Sequence, residues 1–402
     1  MQAKTLSVKT ATVLAMAMAL GPFALDTYLP AFPVIAQSLD VSVHQVSLSI
    51  SLYIFVLALG QLFGGPLSDR FGRSKVMLSG IALFAIASIF LSFANSLSEF
   101  LLLRVLQALG GGAATVTVPA LVRDRLSGTE AAKFFGLIGL FMALAPAVAP
   151  NIGSLILVMA EWHYIFVFLG AYALVAMLLL SQTVFKQKAP TVVKEKIDII
   201  KRYKQVIANR PALRFIVIGS LTSSILMLFI AHASYIYQGH FEVTPGTFSL
   251  LFSANVVLML VANLSNRFLL NHYSAFQILR GSLTLQAGAI LLLITISLFQ
   301  PVLILFVLAM VFTIGALGAT SPNIQACYMD YFEKNGGTAA ALMGATQFSV
   351  AGIVSAASTL LPEGILSIVL AQGACSLICV LLIWRMQADS VQTQTSDITP
   401  HY

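Results

Sequence analysis

The sequence predicts an all-α membrane protein with twelve transmembrane helices in two six-helix bundles related by a pseudo-two-fold axis. Of its 402 residues, 58% are hydrophobic and only 9% are charged, whereas a soluble domain carries about 25% charged residues. Apolar windows of about 20 residues, the length that crosses a bilayer, recur along the whole chain. A basic segment near the middle separates two halves of nearly equal length.

The composition excludes a soluble enzyme and a nucleic-acid-binding protein, because a water-facing surface needs more charge than this chain carries. Cys327, Cys375 and Cys379 all lie in apolar stretches, and we interpret them as small buried hydrophobic residues. No His or carboxylate adjoins Cys375 and Cys379 to complete a metal site. We therefore expect neither a metal nor a cofactor.

Twelve apolar windows, bounded by polar residues or Gly and Pro, predict the membrane spans. The windows are residues 9–31, 44–66, 76–95, 100–122, 134–157, 162–183, 213–236, 247–270, 277–299, 301–328, 338–361 and 365–384. Residues 186–211 form the long exception among mostly short connections. We interpret 1–185 as the N-terminal bundle, 186–211 as a cytoplasmic linker, and 212–402 as the C-terminal bundle with a short tail.

The basic residues mark one side of the membrane. On this map, 21 of the 22 Lys and Arg fall in the loops, the termini or the span ends of one side, leaving Arg104 as the one basic residue deep inside a span. Positive residues favour the cytoplasmic side, so both termini are predicted to be cytoplasmic. The opposite loops contain no Lys or Arg and carry acids such as Asp40, Glu161, Glu242 and Glu363. The first apolar stretch is too long for a signal-peptide core, and we interpret it as a retained span.

Two charges fall well inside predicted spans, away from their basic ends: Asp26 in span 1 and Arg104 in span 4. A charge at the centre of a membrane helix costs about 2.5–3.5 kcal/mol, so both side chains are candidate functional groups. Each lies roughly 6–8 Å below the outer end of its helix. An ion pair or shared hydration in a central cavity is therefore expected. The alternative is that Arg104 snorkels to the outer interface while Asp26 caps a kink at Pro30.

Several uncharged polar residues also fall inside the spans, and together they indicate a cavity that water or substrate can enter. The candidate lining residues are Tyr28, Tyr53, Gln107, His232, Asn255 and Gln347. Taken one by one, each can instead be a polar contact between packed helices. His232 is also a candidate second proton site, because imidazole titrates near neutral pH.

The connection between spans 2 and 3 carries the strongest motif. Its key residues are Gly65, Asp69, Arg70, Gly72 and Arg73. The glycines permit a tight turn, and the Asp is placed to accept from a neighbouring Arg or helix terminus. The pattern Gly-x-x-x-Asp-Arg-x-Gly-Arg resembles the cytoplasmic signature of the major facilitator superfamily, where it gates or braces the helices. A weaker copy, residues 263–267, follows span 8, as a duplication of the halves would leave it.

Spans 1, 4 and 5 extend the resemblance. Span 4 reads Arg104-x-x-Gln107-x-x-Gly110, similar to a motif of proton-coupled facilitators. Span 5 contains Gly136, Ala145, Ala149-Pro150 and Gly153-Ser154, similar to the Gly-rich antiporter motif with small residues in place of three Gly (Ala145, Ala149 and Ser154).

The start of the chain narrows the resemblance to one group. Residues 26–31 read Asp-Thr-Tyr-Leu-Pro-Ala, which resembles the Asp-x-Tyr-Leu-Pro-Ala segment of the bacterial Bcr/CflA drug/proton antiporters. The resemblance implies a multi-pass protein of the bacterial inner membrane that exports small molecules in exchange for protons by alternating access. Asp26 and Arg104 match the residues that this group uses for proton and substrate coupling. We expect a monomer whose partners are substrate, protons and lipid, with no nucleic acid.

Two other functions stay open at this stage. One is export of a physiological metabolite, such as a nucleoside, a siderophore or an amino-acid derivative, with incidental drug efflux. The other is a receptor or scaffold that transports nothing, although a receptor needs neither Asp26 nor Arg104 in the bilayer. The sequence contains no Gly-x-x-x-x-Gly-Lys-[Ser/Thr] pattern for ATP hydrolysis and none of the familiar hydrolase or metalloprotease patterns. An enzyme is therefore not expected.

Overall fold

The computed structural model of the protein describes residues 8–125, 128–185, 199–299, 301–332 and 336–386. Within these ranges every regular element is a helix and no strand occurs. The helices of the first half are α1 (Val8–Asp26), α2 (Phe32–Ser38), α3 (Val43–Phe71), α4 (Arg73–Leu91), α5 (Leu97–Arg125), α6 (Gly128–Met159) and α7 (His163–Thr183). The predicted all-α class is confirmed.

The second half of the chain is also helical. Its helices are α8 (Ile199–Ala208), α9 (Arg210–Ser234), α10 (Pro245–Leu269), α11 (Ala275–Leu298), α12 (Leu303–Gly315), α13 (Leu317–Met329), α14 (Gly336–Ser358) and α15 (Ile365–Trp384). A 3₁₀ turn, Leu29–Ala31, joins α1 to α2, and a π-helical turn, Tyr235–His240, extends α9.

Among the described residues, eleven segments are long and apolar enough to cross a membrane. The fifth predicted window, 134–157, lies in α6, whose apolar described part is the shorter stretch Leu144–Met159. The protein is thus a multi-pass membrane protein with eleven or twelve spanning helices. The exact count of twelve stays a prediction.

Two predicted spans are interrupted, each near a proline. The first, 9–31, is not one helix, because α1 ends at Asp26 and the 3₁₀ turn begins just before Pro30. The tenth, 301–328, divides at Ala316 into α12 and α13. Pro322 has no N–H to give to the carbonyl of Gly318, and the Asn263 side chain supplies that donor instead, with Nδ2 3.1 Å from the Gly318 oxygen.

The described helices form two compact units. Unit 1 combines Met1–Lys196 with Phe229–Val256 and Gly352–Leu361, and unit 2 takes Ile197–Leu228, Val257–Ala351 and Pro362–Tyr402. The predicted organisation into 1–185, 186–211 and 212–402 stays a prediction, and the described part of that linker contains α8.

Each unit has its own close packing. In unit 1, α5 lies directly against α3, because a Cβ added at Gly112 would overlap the carbonyl oxygen of Leu57. In unit 2, an apolar core includes Phe215, Tyr328 and Cys379, all fully buried. Cys327 and Cys375 are also buried, which confirms that the three cysteines are small buried residues.

Candidate functional site

Arg104 of α5 is completely buried in unit 1, with an exposed fraction of 0%. Its Nη1 donates to the carbonyl oxygen of Ala24 at 3.0 Å and to Oε1 of Gln107, and its Nη2 donates to the Tyr28 hydroxyl at 3.2 Å. The alternative in which Arg104 snorkels to the membrane surface is therefore wrong. Its hydrogen bonds point inward, to α1 and to its own helix.

Two tyrosine rings flank the guanidinium of Arg104. Its Cζ lies 4.4 Å from the ring centroid of Tyr28 and 4.3 Å from that of Tyr53. Cation–π contacts of this kind, away from water, contribute about 2 kcal/mol or more each. Three of the six candidate lining residues, Tyr28, Tyr53 and Gln107, thus surround Arg104.

The hydrogen bonds around Arg104 have a fixed direction. Ser49 Oγ donates to the Val46 carbonyl at 2.6 Å, so it accepts from the Tyr28 hydroxyl, 2.7 Å away. In the same way, Ser88 Oγ donates to its own helix and accepts from Gln107 Nε2 at 2.7 Å. The contacts of Ser49 and Ser88 with this site were not predicted, because a serine in an apolar helix usually bonds only to its own backbone.

Asp26 is the last residue of α1 and is 3% exposed. Its buried Oδ1 has no hydrogen-bond partner among the described residues, and no ion pair joins it to Arg104 there. Arg104 nevertheless reaches the carbonyl of Ala24, two residues before Asp26. The two groups therefore lie at the same end of α1, and they do not form an ion pair with each other in this conformation.

Arg104 acts as a cap for the end of α1. The last carbonyl groups of a helix lack backbone partners, and a cation is stabilising beside this negative end of the helix dipole. The guanidinium satisfies the Ala24 carbonyl in this way. The carboxyl of Asp26 stands at the same end, where a negative charge is disfavoured. Arg104 is thus bound to the end of α1 that carries Asp26.

The predicted antiporter motif of span 5 packs directly behind Asp26. A Cβ at Gly153 of α6 would overlap the carbonyl oxygen of Thr27, the residue after Asp26. One turn earlier, Ala149 is fully buried, and the carbonyl of Pro150 accepts a hydrogen bond from Ser249 at 2.9 Å. Gly153 therefore sets how closely α6 approaches the end of α1.

A Gly153→Ala variant is expected to destabilise the protein, since the added methyl group must displace the Thr27 backbone. Overpacking of this kind costs about 1–3 kcal/mol, and it should appear as a lower thermal unfolding midpoint in detergent. Gly288→Ala is the matched control, because Gly288 also lies inside a helix but has no atom within 4 Å of an added Cβ. Equal midpoints for the two variants would contradict the close contact.

The predicted gating motif forms a cluster centred on Arg73 at the basic end of unit 1. Arg73 binds Asp69 at 2.6 Å, Asp124 at 2.9 Å and Ser68 Oγ at 2.6 Å. Gly72 adopts a positive φ of 97° between α3 and α4, a conformation that glycine takes without strain. The cluster ties together the ends of α3, α4 and α5. Asp124, which completes it, was missed because it lies within a basic stretch that indicated only topology.

The other two motif residues lie at the edge of this cluster. Arg70 stacks on the Phe71 ring, with Cζ 5.3 Å from the centroid, and Gly65 has open space where a Cβ would lie. In unit 2, the predicted weaker copy pairs neutral groups instead, since Asn323 Nδ2 donates to Asn266 Oδ1 at 2.7 Å. In this copy, a hydrogen bond between two neutral amides joins α10 to α13.

The remaining candidate lining residues bind other neighbours. His232 donates to Ser358 at 2.7 Å, and the Asn255 amide bonds to the Leu251 carbonyl of its own helix at 2.9 Å. Gln347 belongs to unit 2, where its amide packs against Gly219. Within the described ranges, no three His, Cys, Asp or Glu side chains are grouped to hold a metal ion.

Comparison with known proteins places this site in a family of transporters. A match to the Major Facilitator Superfamily covers residues 14–356. A bicyclomycin resistance protein homologue of Haemophilus influenzae is 29% identical over 378 residues, which cover 93% of this chain and 95% of the relative. The multidrug resistance protein MdtL of Escherichia coli strain S88 is 28% identical over 376 residues, covering 90% and 92% of the two chains.

A solved structure has the same fold. The crystal structure of a D-xylose-proton symporter superposes with a TM-score of 0.78 over 94% of this chain and 98% of that chain, at 14% identity. The bicyclomycin and multidrug resistance relatives confirm the resemblance predicted from residues 26–31 and 65–73. This chain belongs to the Major Facilitator Superfamily.

Proposed function

We propose that the chain is a proton-coupled antiporter that exports small drug-like molecules and is not an enzyme. In this proposal, a monomer of twelve spanning helices, arranged as two six-helix bundles, alternates access across the bacterial inner membrane, with both termini cytoplasmic. The relatives named for bicyclomycin resistance and multidrug resistance support drug export by this chain, because they are similar over at least 90% of its length.

The observation that carries the proposal is the burial of a cation and a carboxyl at one level of α1. Arg104 is 0% exposed and Asp26 is 3% exposed. Ionisable groups at this depth are costly, and in membrane proteins they mark substrate and proton pathways. Stacking and hydrogen bonds hold the guanidinium of Arg104 in place. The buried Oδ1 of Asp26 has no hydrogen-bond partner among the described residues, so the Asp26 carboxyl is the group available to exchange a proton.

The proposed cycle follows from the unpartnered atoms. A buried carboxyl without a partner is much less costly when it holds a proton, so we infer that Asp26 is protonated in this conformation. Loss of that proton would leave a carboxylate beside Arg104, whose buried Nε also lacks a partner among the described residues. The resulting attraction would draw the guanidinium from the end of α1. Substrate entry from the cytoplasm favours this release, and reprotonation from outside restores the cap after substrate has left.

Reconstituted vesicles test the proposal. In vesicles whose lumen corresponds to the outside of the cell, an acidic lumen should drive accumulation of bicyclomycin, with protons leaving in exchange. A pH-sensitive dye in the lumen should report alkalinisation when bicyclomycin is added. Accumulation that persists after an ionophore has collapsed the gradient, or transport with no proton movement, would contradict proton coupling.

A further inference from the structure

Two histidine rings stack on each other at the predicted outer end of unit 1. His44 lies in the first turn of α3 and His232 in the last turn of α9. Their ring centroids are 5.4 Å apart, with an interplanar angle of 29°. His232 is fully buried, whereas His44 is half-buried and so accessible to the aqueous phase at that end.

Both rings are held by the end of α14. His44 Nε2 lies 2.9 Å from the carbonyl oxygen of Thr359, which can only accept, so this nitrogen carries a hydrogen. His232 Nε2 lies 2.7 Å from Ser358 Oγ. The Ser358 hydroxyl donates to the Ser355 carbonyl at 2.6 Å and therefore accepts from His232. The His232 Nδ1 is buried with no partner among the described residues, which fits a neutral ring.

α3 and α14 also contact each other further from the predicted outer end. Ser51 of α3 and Ser355 of α14 share a hydrogen bond of 2.7 Å between their hydroxyls. Next to it, a Cβ at Gly352 would lie 3.0 Å from the backbone nitrogen of Phe55. The histidine pair is thus the outermost layer of a continuous contact between α3 and α14.

We propose that His44 and His232 form a proton-binding pair, separate from Asp26, that holds the outer ends of α3, α9 and α14 together when neutral and releases them when protonated. A proton on each ring would place two like charges 5.4 Å apart in a site of low dielectric, where repulsion is strong. A proton on His232 Nδ1 would also be buried without an acceptor. Opening of the outer ends relieves both costs.

Within the described part of unit 1, the helices packed against the pair carry no charged group at its level. Neither α14 nor α2 contains an Asp, Glu, Lys, Arg or His, and the charges of α3 and α9 lie at their opposite ends. In the π-helical turn, Tyr237 packs on Phe229 and Phe248, and His240 packs on Phe241. The acids Asp40 and Glu242 of unit 1 are exposed in connections, and no ion pair joins them to either ring among the described residues.

Distance measurements in nanodiscs test the proposal. Spin labels at Gln37→Cys, in α2 just before α3, and at Leu360→Cys, just after α14, are both at exposed positions and report the separation of the outer ends of α3 and α14. The three native cysteines are buried. In otherwise wild-type protein, a longer-distance population should at least double between pH 8 and pH 5, the range in which histidine titrates. His44→Gln/His232→Gln keeps a donor at each position but cannot titrate, so its distances should not change with pH.

Three further variants make the result decisive. His163→Gln removes an outer histidine whose Nδ1 is 3.3 Å from Glu161, outside the pair, and it should keep the wild-type pH response. Asp26→Asn should also keep it, even if drug export is lost, which separates this proposal from the proposed transport function. His44→Gln alone, at the half-buried position, should suffice if the double variant does not fold. A wild-type distance unaffected by pH, or a response that survives without both histidines, would overturn the proposal.

Discussion

An Asp26→Asn variant is expected to fold like the wild type and to lose export driven by a pH gradient. Asparagine matches aspartate in size, and the buried Oδ1 has no partner to lose among the described residues, so thermal stability should be nearly unchanged. The amide cannot take up or release a proton. Accumulation of bicyclomycin against its gradient should therefore fall to the level of empty vesicles.

Exchange without a gradient distinguishes a coupling defect from a binding defect. Counterflow of labelled for unlabelled bicyclomycin needs no net proton movement, and it should survive in Asp26→Asn. Asp40→Asn is the matched control, because Asp40 is an exposed acid at a positive φ of 53°, a conformation that asparagine tolerates. It should export normally. Undiminished gradient-driven export by Asp26→Asn would exclude Asp26 as the proton carrier.

The residues of the site were predictable because burying a polar group in a bilayer costs free energy, so such residues are few. Arg104, Gln107, Tyr28 and Tyr53 were all found in this way, and the structure brings them together. Which group on α1 Arg104 binds was not predictable. Whether Arg104 binds the Asp26 carboxyl or the Ala24 carbonyl depends on where α1 ends, and a helix end read from a sequence is uncertain by about two to four residues, at least as much as the separation of Ala24 from Asp26.

Residues near helix ends were harder to find than those at mid-membrane. His44 was not predicted as a candidate because polar residues are common in the first turn of a span. It nevertheless stacks on His232, which was a candidate because it lies inside a predicted span. Asn255 shows a different difficulty. It was predicted as a possible cavity-lining residue or a polar contact between helices, and its amide donates to the Leu251 carbonyl of its own helix. No periodicity in the sequence distinguishes these uses of an asparagine.

An Arg104→Lys variant is expected to keep the positive charge but lose most of the site. Lysine has no planar group to stack between Tyr28 and Tyr53, and a single ammonium cannot reproduce the guanidinium's geometry toward both Ala24 and the Tyr28 hydroxyl. Loss of the stacking should lower the free energy of unfolding by about 2 kcal/mol. Gradient-driven export should slow at least about tenfold, equivalent to roughly 1.4 kcal/mol in barrier height, because the end of α1 loses its cap.

Arg280→Lys is the control for this change of chemistry. Arg280 also stacks on an aromatic ring, with Cζ 3.4 Å from the Trp384 centroid, but it lies in α11 of unit 2, whereas α1 belongs to unit 1. Its replacement should leave the export rate close to wild type. If charge alone mattered at Arg104, the two lysine variants would export equally well, and the stacked cap at the end of α1 would have no role in coupling. A loss confined to Arg104→Lys requires the guanidinium itself, because the charge is the same in both residues.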